Sequence, residues 1–172
     1  MNDPDLLPPT DARNLLHVVV EIPAGTRHKC EFRPGAAVFA LNRVLHSAVS
    51  YPADYGFIPG TLADDGDPLD ALVLVSHPTF AGCLLRARPL GHLEMLDGGV
   101  PDAKLLCTAY ADPHYQEVKS LADLSPHCLQ ELADFFLAYK RLEPKRVELG
   151  AWQGLEATYT LIARSIERAK CR

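Results

Sequence analysis

The sequence predicts an α+β fold, a small barrel of short strands with helices packed outside it. Three observations predict it. From residue 15 to residue 109, short runs rich in branched and aromatic residues alternate with Pro, Gly and Asp clusters, the pattern of many short strands. Helical periodicity enters only after Ser125, so strands precede helices instead of alternating with them. The chain has 172 residues, of which 48% are hydrophobic and 23% charged. That is ordinary globular composition and enough for a sizeable core in one domain.

Residues 1–14 hold three prolines and little apolar content, and read as an N-terminal arm to a single domain over 15–172. Leu15–Ile22 is the first strand. Residues 30–33 and 38–43 read as a hairpin around Pro34-Gly35. Residues 51–61, rich in Tyr, Pro and Gly, read as a loop. Residues 70–75 form an apolar strand. Residues 84–89 and 90–96 read as two further strands, residues 97–102 as a loop, and residues 103–109 as another strand. Ser125 is positioned to cap a helix with Pro126 at its first position, and Leu129, Leu132, Phe136 and Tyr139 then recur at helical spacing. Residues 145–152 suit a short strand. Residues 154–168 read as a second helix with Leu155, Tyr159, Ile162 and Ile166 on one face.

Charge and composition exclude several function classes. The net charge is −5, which does not draw nucleic acid or an anionic membrane. No apolar run approaches the ~20 residues of a membrane span, and no apolar signal core is expected at the N-terminus. The five cysteines are widely spaced, with no CxxC or Cys/His zinc spacing. They fit reduced thiols in a cytosol, and the expected location is cytoplasmic.

Asp64-Asp65-Gly66-Asp67-Pro68-Leu69-Asp70 places four carboxylates in seven residues and runs straight into Ala71-Leu72-Val73-Leu74-Val75. Gly66 and Pro68 oppose a helix, so the stretch reads as a tight turn feeding a buried strand. Asp65 and Asp67, two apart, can share a face, and a bend at Pro68 can bring Asp70 round to them. Carboxylates that close repel unless a cation lies between them, and oxygen-only ligands suit Mg²⁺, Mn²⁺ or Ca²⁺. An EF-hand loop does not fit, because the glycine is misplaced and no bidentate Glu follows. Taken alone, the stretch reads equally well as an acidic surface turn.

Other polar residues break that tie. Glu21 ends an apolar strand, and Lys29 and Glu31 share a strand face. Arg43 closes the next strand, and Tyr51 and Tyr55 flank Pro52. Asp97, Asp102 and Lys104 surround a glycine-containing loop, and Tyr139-Lys140 ends the first helix. Together they offer two acidic clusters for divalent ions, with Lys29, Arg43, Lys104, Lys140 and tyrosine hydroxyls to hold an anion against them. Such a site suits a compact oxyanion, with phosphates the obvious class. No Walker A, GxGxxG or GxSxG motif is present, and the chemistry that remains is metal-assisted attack of water on phosphorus.

The ordered set Glu21, Lys29-x-Glu31, Arg43, Tyr51-Pro52-x-x-Tyr55-Gly56, Asp65-Gly66-Asp67-Pro68-Leu69-Asp70, Asp97-x4-Asp102-x-Lys104 and Tyr139-Lys140 resembles the soluble family I inorganic pyrophosphatases. The resemblance implies a five-stranded OB-type β-barrel with flanking α-helices, and hydrolysis of pyrophosphate to two orthophosphates with several Mg²⁺ ions per site. It further implies that Asp65, Asp70 and Asp102 share the ions beside the attacking water, and that Asp67 takes its proton. Asp97 and Asp102 would hold an ion arriving with substrate, and Glu31 another. Arg43 and Tyr55 would bind the phosphoryl group under attack, Lys29, Tyr139 and Lys140 the leaving phosphate, and Lys104 would add positive charge. Glu21 would support the metals from behind, and Tyr51 would either do the same or be structural. Family members form homo-oligomers, with a hexamer favoured here and a dimer the alternative. The sequence departs from the family at Cys30 and Phe57, where aromatic residue and Tyr are common, and at Gly98 and Pro101 in a loop that is often more acidic. The competing readings are another Mg²⁺-dependent phosphohydrolase, a non-catalytic OB-fold module, and an inactive homologue.

Overall fold

Apolar residues on both faces of a strand bury it between two layers, and β5 (Leu69–Leu74) follows that rule. Leu72 and Leu74 face one cluster with Leu93, Leu106 and Phe136, while Leu69, Ala71 and Val73 face another with Leu105, Cys107 and Ile162. The structure is a computed structural model that describes residues 7–171. The first six residues of the expected arm lie outside that range. Residues 7–14 run beside the first strand: Thr10 bridges Leu16, and the Asp11 carboxylate accepts from the Arg13 and Leu15 N–H groups.

The other strands are β1 (Leu16–Ile22), β2 (His28–Arg33), β3 (Val38–Val44), β4 (Asp54–Ile58), β6 (Leu84–Asp97), β7 (Val100–Pro101), β8 (Lys104–Ala109) and β9 (Val147–Gln153). Seven of them form one mixed sheet in the order β1-β4-β5-β8-β6-β7, with β9 added on β6 and a further pairing between β1 and β6. The β5–β8 pair is parallel. β2 and β3 form a separate two-stranded sheet. The α+β class stands, but this arrangement corrects the expectation of a five-stranded OB-type barrel. The reason is the length of β6. At 14 residues it pairs β1 near its start and β9 and β7 near its end, so the sheet carries more strands than a five-stranded barrel holds.

The same strand corrects the two-strand reading of residues 84–96. Pro89 does not break it, because the pairing with β8 slips between Pro89 and Gly91; a bulge absorbs the missing N–H. The expected loop over 51–61 contains β4. Gly56 is there for a close approach, since a Cβ on it would lie 1.9 Å from the Val19 carbonyl oxygen.

Helix α1 (Pro126–Tyr139) starts where the sequence predicts, with the Ser125 hydroxyl accepting from the Cys128 N–H. Leu132, Phe135, Phe136 and Tyr139 are its buried residues. Helix α2 (Leu155–Lys170) buries Thr158, Ile162 and Ser165, whereas Tyr159 is 53% exposed. Its inner face is therefore rotated from the apolar stripe read in the sequence. Thr158 is inside because its hydroxyl donates to the Gly154 carbonyl and pairs with His92 Nδ1, so a polar side chain is satisfied under the helix. No described helix is long and apolar enough to cross a membrane. All five cysteines are free, and burial pushes the Cys107 thiol up to about 12.

Candidate active site

The Asp turn is held from both sides. Gly66 has φ +94°, which favours glycine. The Asp67 N–H donates to Asp65 Oδ1 at 3.1 Å, and the Ala63 N–H donates to the Asp67 carbonyl at 2.7 Å. Behind it, the Leu69 N–H donates to the buried Thr61 hydroxyl, which donates on to the Ile58 carbonyl. Asp64 leaves the cluster and pairs with Arg164 and Arg168 of α2. Asp65 and Asp67 stay exposed at the tip, while Asp70 is half-buried on β5.

Parallel pairing sets Asp70 beside Lys104. The Lys104 ammonium donates to Asp70 Oδ2 and to Asp102 Oδ1, both at 2.5 Å, and the residue is only 3% exposed. Burial alone would lower the pKa of that ammonium, but the charges of Asp70 and Asp102 overcome it and hold it well above the ordinary lysine range. Burial pushes the Asp102 carboxyl up, Lys104 opposes this, and Asp70 adds to it. At the end of β6, Asp97 accepts from the ammonium of Lys140, the residue whose backbone N–H closes the C-terminus of α1 on the Ala138 carbonyl. The other Asp97 oxygen, Oδ1, is buried with no hydrogen-bond partner.

The β2–β3 hairpin supplies the opposite wall. Lys29 donates to Glu31 Oε1 at 2.6 Å, Asn42 donates to Glu31 Oε2 at 2.7 Å, and Arg33 lies 3.3 Å from Glu31. Arg43 pairs across the hairpin with Lys29, but its guanidinium turns to Glu143. Glu21, Lys29, Glu31, Tyr55, Asp67 and Asp70 line one cleft of about 370 Å³. Tyr51, Tyr55 and Tyr139 are buried beneath, with the Tyr51 and Tyr55 rings 5.3 Å apart and the Lys104 ammonium 5.8 Å from the Tyr55 ring centre. Burial and the surrounding carboxylates push all three hydroxyls up, so they are neutral hydrogen-bond donors.

Six expected residues thus meet about one cleft, and Lys104 ties Asp102 to it through Asp70. Asp97 with Lys140, and Arg43 with Glu143, are pairs outside that lining, and Asp65 is not on it. Sequence reasoning missed Asn42, Arg33 and Glu143. Asn42 and Arg33 sit beside residues already singled out, on a hairpin the sequence does reveal. Glu143 meets Arg43 across 100 positions of chain, and no local signal announces it.

Glu21 is a charged group in the wrong place for stability. Its Oε1 accepts from the Phe32 N–H at 2.6 Å. Burial pushes its carboxyl up to about 7 despite that bond, and Asp70 adds to the effect. The folded chain therefore binds this proton more tightly than the unfolded chain, whose Glu titrates near 4.5. Stability conferred by the protonated form is present at low pH and is lost as pH rises through that window. In EDTA, Glu21→Gln should flatten the fall of melting temperature between about pH 5 and 8 and raise the melting temperature at the upper end. A parental slope in thermal melts would contradict this placement.

A divalent metal fits these residues on two grounds. Asp97 Oδ1 is a buried acceptor waiting for a donor or cation, and the donor set is all oxygen, as hard cations require. Among the described residues, no three His, Cys, Asp or Glu side chains are already gathered as a metal cage; the Lys104 ammonium stands between Asp70 and Asp102 instead, and the Lys140 ammonium rests on Asp97.

The chain matches the family model described as inorganic pyrophosphatase over residues 18–170. It is 49% identical over 164 residues to an inorganic pyrophosphatase of Synechocystis, covering 95% of this chain and 97% of that one. It is 47% identical over 154 residues to one of Geobacillus stearothermophilus, covering 90% and 93%. The crystal structure of inorganic pyrophosphatase from Thermus thermophilus superposes with a TM-score of 0.94 at 37% identity, covering 98% of this chain and 99% of that one. The structure of the Helicobacter pylori inorganic pyrophosphatase does so with a TM-score of 0.91 at 36% identity, covering 96% and 99%. With the acidic turn, the lysines and the tyrosines assembled as described, the chain belongs to the family I inorganic pyrophosphatases.

Proposed function

We propose that the cleft between the Asp turn and the β2–β3 hairpin is the catalytic centre of this inorganic diphosphatase. The enzyme catalyses Mg²⁺-dependent hydrolysis of pyrophosphate to two orthophosphates. One observation supports the site reading above the rest: the buried Lys104 ammonium lies between Asp70 and Asp102. Carboxylates and ammonium groups in such a network can exchange partners. The carboxylates are suited to metal, and the freed ammonium groups to phosphate oxygens.

Asp65, Asp70 and Asp102 would hold Mg²⁺, with Asp97 and Glu31 available to further ions. Bound Mg²⁺ supplies a lowered pKa for water and neutralisation of phosphate charge. Asp67 lines the cleft from the exposed tip of the turn, where it can accept the proton of the attacking water. Arg43 and the neutral Tyr55 hydroxyl bind the phosphoryl group under attack. Lys29, Lys140 and the Tyr139 hydroxyl bind the leaving phosphate, and Lys104 adds charge near it. Glu21 and Tyr51 support this arrangement from behind. Substrate and leaving group are strongly anionic, so placed charge and in-line positioning carry most of the barrier reduction. Assembly as a homo-oligomer, with a hexamer favoured over a dimer, and a cytoplasmic location belong to the same proposal and rest on family membership.

The test is phosphate release from pyrophosphate, ATP and a sugar phosphate, each with Mg²⁺, with Ca²⁺ in its place, and with EDTA. Release from pyrophosphate alone, requiring Mg²⁺ and lost with EDTA, is the expected result. Release mainly from ATP or the sugar phosphate would move the substrate assignment.

A further inference from the structure

Three of the four cations of the centre rest on carboxylates assigned above to metal: Lys29 on Glu31, Lys104 on Asp70 and Asp102, and Lys140 on Asp97. Arg43 does not. Its Nε–H donates to Glu143 Oε1 at 2.9 Å and its Nη2 to Glu143 Oε2 at 3.0 Å, a two-pronged pair. The two side chains are 24% and 12% exposed. A guanidinium has five N–H donors in a rigid plane. Glu143 occupies two of them, on the Nε side. Both Nη1 donors and one on Nη2 are left for an oxyanion approaching the far edge.

Glu143 is itself fixed. Its N–H donates to the Lys140 carbonyl at 2.8 Å in the turn that closes α1, and the Lys140 side chain reaches Asp97. That turn therefore carries a cation and an anion three residues apart, one directed to β6 and the other to β3.

We infer that Glu143 is a positioning residue for pyrophosphate hydrolysis, locking the Arg43 guanidinium by its Nε edge so that its Nη edge is presented to phosphate. The inference rests on the reading of Arg43 as a phosphate-binding group. It also accounts for the choice of partner. With metal on the carboxylates assigned to it, the three lysines would release them, whereas Arg43 would keep Glu143 and stay oriented.

The experiment is kcat/KM for pyrophosphate at saturating Mg²⁺ in Glu143→Gln, Glu143→Ala, Arg43→Lys and the Glu143→Ala/Arg43→Lys double variant, each with a thermal melt. Loss of such an orienting partner is expected to lower kcat/KM roughly 10- to 100-fold. Lysine cannot offer two edges at once, so in the Arg43→Lys background the Glu143→Ala change should shrink to under about 2-fold. Glu143→Gln keeps the shape and one acceptor, and carries the comparison if Glu143→Ala does not fold. Parental kcat/KM in folded Glu143 variants, with Arg43→Lys impaired, would overturn the positioning role and leave the Arg43 reading intact. An equal loss from Glu143→Ala in both backgrounds would reduce Glu143 to a structural tie. Parental kcat/KM in Arg43→Lys would overturn the Arg43 reading and this inference with it.

Discussion

Asp67→Asn is expected to fold, to bind Mg²⁺ as the parent does and to lose turnover by roughly 10²- to 10⁴-fold, the usual contribution of a positioned general base. Asp67 is exposed at the tip of the acidic turn and lines the cleft. Its structural bonds run through the backbone: its N–H to Asp65 and its carbonyl to Ala63. The amide preserves that backbone and the side-chain shape, so stability should change by no more than about 0.5 kcal/mol. What it removes is a basic oxygen. Steady-state kcat beside a Mg²⁺ titration and a thermal melt checks all three parts. Near-parental kcat would assign the proton to another group.

Lys104→Met should have the largest effect on stability. The ammonium is almost fully buried and is shared by Asp70 and Asp102. Methionine keeps much of the volume and leaves two carboxylates facing each other with no counter-charge. Removing one partner of a buried ionic group costs about 3–5 kcal/mol, because the remaining charges are uncompensated. The cost should be largest in EDTA and smaller with Mg²⁺, since a ligand that binds only the folded state stabilises it by mass action. Denaturant unfolding in both conditions measures this. A loss below about 1 kcal/mol in EDTA would mean that the Asp70–Lys104–Asp102 link contributes little.

These predictions draw on residues singled out in the sequence, six of which line one cleft, while their contacts are not legible there. The acidic turn was readable because Gly66 and Pro68 forbid a helix and the apolar run after Asp70 demands a strand. The start of α1 was readable because Ser125 and Pro126 are local capping signals, and the structure bears both out. β4 was hidden by Pro52, Gly56 and Pro59, which ordinarily mark loops. Gly56 is instead required by the approach of Val19 across the sheet, a tertiary reason that local chemistry does not carry. β6 was divided at Pro89 because a bulge is invisible until its partner strand is known. The inner face of α2 differs from the apolar stripe because Thr158 is buried with a satisfied hydroxyl and the small Ser165 is buried beside Ile162. In the cleft, the residue types pointed to metal and phosphate. That Lys104 bridges two carboxylates depends on the parallel register of β5 and β8, and that Arg43 is paired with Glu143 depends on where α1 ends.

The most direct test of the metal centre is an equilibrium Mg²⁺ titration of the parent beside Asp70→Asn, followed by calorimetry without substrate. Asp70 is paired with Lys104 and sits on the cleft wall. The account predicts that the parent binds Mg²⁺ and that Asp70→Asn binds it at least about tenfold more weakly, one anionic ligand having been lost. An unchanged Mg²⁺ isotherm in Asp70→Asn would contradict the assignment of this acidic cluster as the metal centre.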